Sequence, residues 1–175
     1  MGVALTTQTL LAQIPSYVPT NGLVGYWPFN GNANDESGNG NNGTVNGAIL
    51  TTDRNGNANS AYNFDGNNFT RISVLDSPNL NLTNDFTISS WINGTSFESS
   101  GGTVRMIVSK AGDNVGNPNG YNYGIWGDES LTSYNIGSVN FQAQPFYNSS
   151  TYPIGSTGLI QINNWYNFKY INVCR

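Results

Sequence analysis

Residues 85–93 read Asp-Phe-Thr-Ile-Ser-Ser-Trp-Ile-Asn, DFTISSWIN. Phe86, Ile88, Ser90 and Ile92 alternate with Thr87, Ser89, Trp91 and Asn93, and a period of two marks a strand whose successive side chains leave on opposite faces. The run predicts a β-strand with an aliphatic stripe on one side and Trp91 projecting from the other. That placement makes Trp91 a candidate for ligand contact.

The same period extends in both directions. Tyr62 with Phe64 and Ile72 with Val74 are short alternating runs separated by Asp65-Gly66, a strong turn signal. Downstream, Val104, Met106 and Val108 form one run, Tyr121, Tyr123 and Ile125 a second, Val139 and Phe141 a third, and Tyr166, Phe168 and Tyr170 a fourth. Upstream, Leu23, Gly25, Trp27 and Phe29 fall on one face of a further predicted strand, with Pro28 pointing to a sheet edge or a bulge. About eight strands with no convincing helix between them predict an all-β, antiparallel two-sheet sandwich or jelly roll.

Composition sets the outer limits. At 175 residues, 37% hydrophobic and 13% aromatic, the chain is long enough for one domain with a core. Only 9% of residues are charged and the net charge is −4, so there is no basic footprint for nucleic-acid phosphates or an anionic membrane surface. No apolar run approaches the length of a bilayer-spanning helix. Polarity rests on Asn, Ser, Thr and Gly instead of Lys and Glu, a choice that fits an extracellular β-rich protein. Cys174 is the single cysteine; it makes no intrachain disulfide and fits no metal pattern.

Residues 1–20 form a leader. An apolar segment from Val3 to Leu11 is followed by Ala12 and Gln13 but lacks a basic n-region, which leaves a clipped signal remnant and a short ordered helix as two readings. Pro15 and Pro19 then break the chain before the domain at residues 21–175.

Four motifs in order carry a resemblance. They are GLVGYWPFNGNANDESGNGNNGTVNGA from Gly22, Asn63-Phe64-Asp65-Gly66, the Asp85–Trp91 strand, and Asn164-Trp165-Tyr166. Together they resemble the concanavalin A-like lectin/glucanase superfamily in its laminin-G-like branch, a jelly-roll domain of secreted bacterial proteins. Over roughly residues 21–170 the resemblance implies a jelly-roll sandwich, secretion, and a sugar-binding or adhesive role. Such domains continue through closing strands after the Trp-Tyr strand, whereas this sequence stops at Arg175. The expectation is an incomplete, C-terminally truncated sandwich with unpaired edges.

The Asn- and Gly-rich stretch within residues 22–47 is costly to order without a partner, and hard cations suit its many oxygens. Asp35, Ser37, Asn39 and Gly40 occupy positions one, three, five and six of an EF-hand-like loop. Position twelve is Asn46 instead of a bidentate Glu, so a site recruits backbone carbonyls, Asn42 or a distant acid such as Asp65. The resemblance also favours structural calcium. The expected metal set is Asp35, Ser37, Asn39, Asn42 and Asp65.

Catalysis lacks parts. There is no His, which removes Ser-His-Asp and Cys-His arrangements and the commonest zinc ligands. Glycoside hydrolysis needs two carboxylates, yet Glu36, Glu98 and Glu129 are isolated and Asp128 and Glu129 are adjacent, so that a strand points them to opposite faces. No enzyme is expected. Sugar binding needs only aromatic faces with amides and carboxylates. Trp91, Tyr123, Trp126, Asp128 and Tyr147 are the candidates, against the usual fate of Trp in a sandwich, which is packing. Two functions are in contention: a carbohydrate-binding module whose partner is a glycan, and an adhesive module whose partner is protein at the cell surface.

Overall fold

The computed structural model describes residues 14–67, 69–82, 85–95, 105–110, 122–128, 136–144, 154–155 and 160–172. The chain divides into two compact units, Met1–Leu80 and Asn81–Arg175.

The first unit holds β1 (Gly43–Asn46), β2 (Ile49–Thr51), β3 (Ala61–Asn63) and β4 (Arg71–Val74), followed by a 3-10 turn at Pro78–Leu80. β2 and β3 pair antiparallel as a hairpin, with Leu50 opposite Tyr62. β1 pairs antiparallel with β4 around it, with Val45 opposite Ile72. β3 and β4 flank the Asp65-Gly66 turn, yet each pairs with an earlier strand. β1 lies in the Asn- and Gly-rich stretch that reads as loop, where turn residues outnumber apolar ones, and β2 is not among the predicted runs.

The expected strand over Leu23–Phe29 does not form. Its backbone groups bond to the polar loop that follows instead of to a neighbouring strand. Leu23 O and Val24 O accept from Asn39 Nδ2 at 2.8 and 3.1 Å, and Glu36 N donates to Tyr26 O at 2.8 Å. Phe29 has a φ of +57°, outside the β region altogether. Its ring meets Tyr62 edge-on, with centroids 5.2 Å apart.

The second unit holds β5 (Phe86–Asn93), β6 (Arg105–Lys110), β7 (Asn122–Asp128), β8 (Ile136–Gln144), β9 (Ile154–Gly155), β10 (Ile160–Gln161) and β11 (Trp165–Asn172). One sheet runs β10-β8-β7-β6 with β9 against β8; a second consists of β5 and β11. All strand pairs are antiparallel. The described residues are thus all-β, in small antiparallel sheets, and five predicted runs coincide with β5, β6, β7, β8 and β11.

β5 follows its sequence pattern residue by residue. Phe86, Ile88, Ser90 and Ile92 are half-buried, while Thr87, Ser89, Trp91 and Asn93 are exposed. β11 places Tyr166 and Phe168, also half-buried, opposite Ile92 and Ser90. This two-stranded ribbon has one mainly apolar face and one more polar face, the latter also carrying Trp91 and Trp165.

Candidate functional site

The best-buried side chains among the described residues form a small knot: Ala33, Asp35 and Asn41. Two of the three are polar, so the loop is organised by hydrogen bonds more than by apolar burial. Asp35 Oδ1 accepts from Tyr26 N and Ser37 N, both at 2.9 Å, and Oδ2 accepts from Asn41 N at 3.0 Å. Asp35 N donates to Asn42 Oδ1 at 2.9 Å. Asn41 Nδ2 donates to Val24 O at 3.0 Å, and Asn41 O accepts from the Trp27 indole at 2.8 Å. The indole folds back over Gly25, where a Cβ would lie 2.2 Å from the ring. One carboxylate thereby fastens residues 23–27 to residues 35–42.

Burial pushes the Asp35 carboxyl upward, but hydrogen bonds from Ser37, Tyr26 and Asn41 outweigh it and hold the pKa below the ordinary carboxylate value. At neutral pH the group is an anion held by N–H donors.

Four of the five expected metal residues converge here. Asn39 Nδ2 reaches Ser37 Oγ at 3.0 Å, and Ser37 and Asn42 both bond to Asp35. Gly40 has a φ of +75°, which provides the expected turn. The fifth does not join them through its bonds. Asp65 binds its own turn, accepting from Asn67 N, Asn67 Nδ2 and Thr70 Oγ1, and the hydrogen bond from Thr70 leads the causes that lower its pKa. Among the described residues no three His, Cys, Asp or Glu side chains gather in a metal-binding group. The donor set is therefore one carboxylate plus neutral oxygens, and three of its roughly four lone-pair sites already face N–H groups. Ca²⁺ takes six to eight oxygens, so an ion at this loop has to compete with bonds that order it.

The second candidate surface is the polar face of the β5–β11 ribbon. Residues directly opposite in an antiparallel pair share a face, and the register sets Ser89 against Lys169, Trp91 against Asn167 and Asn93 against Trp165. Trp91 is 47% exposed. Asn167 Nδ2 donates to Ser89 Oγ and Ser90 O, both at 3.3 Å, which holds the amide beside the indole position. A tryptophan ring framed by amide, hydroxyl and ammonium groups can stack on one surface of a ligand and hydrogen-bond its rim. Trp165, Asn167 and Lys169 were not among the expected site residues. Their own alternation was visible, but the β5 partner that puts them beside Trp91 was not.

Of the other expected sugar contacts, Tyr123, Trp126 and Asp128 all lie on β7, where Tyr123 pairs with Lys110, Trp126 with Met106 and Asp128 with Ser138. Those residues are on a different sheet from Trp91. Tyr147 lies outside the described residues, as do the leader before Ile14, Glu98, Glu129 and Cys174.

Comparison with protein-family models, with curated proteins and with solved structures finds no match to this chain.

Proposed function

We propose that this chain is a non-catalytic, lectin-like carbohydrate-binding module of a secreted or surface protein, on a laminin-G-like jelly-roll sandwich. The observation that carries the reading is the exposed Trp91 on a face that it shares with Ser89, Asn93, Asn167, Lys169 and a second indole, Trp165. A sugar ring offers C–H surfaces to an indole and hydroxyls to amides and an ammonium group, and this face presents both. No reaction is assigned to it, since none of these groups is a carboxylate acid or base.

Structural calcium belongs to this reading through the resemblance and through the neutral oxygens of Ser37, Asn39 and Asn42. The hydrogen bonds to Asp35 support a loop that orders without it.

A structural or adhesive module is the second reading. Ile49 in β2, and Phe69 and Leu75 just outside the two ends of β4, are 68%, 81% and 87% exposed, and exposed apolar surface of that kind favours protein contact.

Affinity electrophoresis through gels containing individual polysaccharides separates the two. Retardation by at least one glycan, lost in Trp91→Ala with the circular dichroism unchanged, is the expected result; the lost stacking weakens binding about tenfold or more. Unchanged mobility across a broad glycan panel sinks the lectin reading and leaves the adhesive one.

A further inference from the structure

The seven Asn-Gly pairs in the described residues, at Asn21, Asn30, Asn39, Asn42, Asn46, Asn55 and Asn93, share one intrinsic chemistry. The glycine nitrogen can attack the preceding side-chain amide, because no Cβ obstructs its approach. The N–Cγ bond forms, the Cγ–Nδ2 bond breaks, and ammonia leaves carrying the glycine N–H proton. Water then opens the succinimide at either carbonyl to give aspartate or isoaspartate. The net change is water in and ammonia out, with one negative charge gained and no redox partner needed.

The fold treats the seven pairs differently. The Gly31 N–H donates to Asn59 O at 2.8 Å, the Gly43 N–H to Ala33 O at 2.8 Å and the Gly56 N–H to Asp53 O at 3.2 Å, so the nucleophiles after Asn30, Asn42 and Asn55 are engaged. The Asn42 side chain is also held, through its Oδ1, by Asp35 N. At Asn39 the leaving nitrogen is tied to Leu23 O, Val24 O and Ser37 Oγ. Asn46 and Asn93 sit in the paired strands β1 and β5.

Asn21 has none of these restraints. Leu23 N donates to Thr20 O at 3.2 Å, closing a turn with Asn21 and Gly22 at its centre and Gly22 at a φ of +75°. In such a turn the N–H of the third residue points outward. Among the described residues, neither that N–H nor the exposed Asn21 side chain has a hydrogen-bond partner.

We propose that Asn21-Gly22 is a site of spontaneous deamidation and isoaspartate formation, and that the fold protects the Asn-Gly pairs at Asn30, Asn42 and Asn55. The product places a new carboxylate, or a backbone lengthened by one carbon, two residues before Leu23. It therefore modifies the turn that delivers residues 23–27 to the Asp35 loop.

The test is to incubate the full chain in mildly alkaline buffer, then quantify conversion at each Asn by peptide mass mapping and isoaspartate by enzymatic methylation. Breaking one hydrogen bond to expose an N–H costs about a factor of ten, so Asn21 is expected to convert at least tenfold faster than Asn30, Asn42 or Asn55. In concentrated urea the four rates are expected to converge. Conversion of Asn30, Asn42 or Asn55 as fast as Asn21 in the native chain overturns the proposal. A ranking that persists unchanged in urea overturns it as well, since folded structure is then not the cause.

Discussion

Asp35 shows how one side chain can hold a segment that has no apolar reason to stay folded. Its three backbone N–H partners belong to residues 26, 37 and 41, so the carboxylate closes two loops at once. Asp35→Ala is expected to destabilise the first unit by about 3 kcal/mol, because three donors lose a charged acceptor in a site only 8% exposed. Chemical denaturation followed by far-UV circular dichroism reads this. The pH dependence has a definite sign. A folded pKa held below the unfolded one means stability that is complete above the ordinary carboxylate value near 3.9 and lost as pH falls through the folded value. Asp35→Asn is expected to flatten that part of the acid-unfolding curve; an identical acid slope in both proteins disproves the role. Much of this was readable from sequence. The Asp-x-Ser-x-Asn-Gly spacing pointed to this loop, and hydrogen bonds link Asp35, Ser37, Asn39 and Asn42 within it. What the spacing could not reveal is the set of partners: the Asp35 carboxylate is taken by the N–H groups of Ser37, Asn41 and Tyr26, the last from a segment that reads as strand because it alternates.

β5 and β11 are legible for a different reason. Eight-residue alternations give four repeats of the period, enough for DFTISSWIN to specify both its conformation and its faces. Pairing is a long-range property that no local pattern encodes, so the Trp91–Asn167 and Ser89–Lys169 neighbours emerged only with the fold. The two faces predict opposite mutational behaviour. Trp91→Ala is expected to change stability by less than about 0.5 kcal/mol, as for exposed positions generally. Ile88→Ala, on the half-buried face, is expected to cost about 2 kcal/mol, and equal costs in a denaturant titration would contradict the assigned orientation. Shorter elements follow the same physics with less warning. Gly43 in β1 has no room for a methyl group, since a Cβ there would lie 2.6 Å from Ile72 Cγ2 and 2.9 Å from Ala33 O. Gly43→Ala is expected to cost about 1–3 kcal/mol by overpacking, visible as a lower denaturation midpoint. Unchanged stability would mean that β1 and β4 are not held at this spacing.

At the scale of the whole chain, the all-β class was evident from period and turn residues, while the division after Leu80 was not. Composition does not change there; the division follows from which strands pair, β1 to β4 among themselves and β5 to β11 among themselves. The ion question also belongs at this scale, because a bound cation reports through global stability. A ligand that binds only the folded state stabilises it by RT ln(1 + [L]/Kd), about 0.4 kcal/mol when its concentration equals Kd. Calcium proposed at a loop whose one carboxylate is already engaged by three N–H groups would bind weakly, in the millimolar range. Thermal melts in EDTA and in millimolar calcium are therefore expected to differ by only about one or two degrees, with the difference abolished in Asp35→Asn. A rise of about ten degrees would require a Kd far below millimolar, and with it more oxygen ligands than Asp35, Ser37, Asn39 and Asn42 provide. The self-bonded loop would then be the ion-free form of a site that rearranges on binding, and Asp65 would be the first acid to mutate in search of the missing ligand.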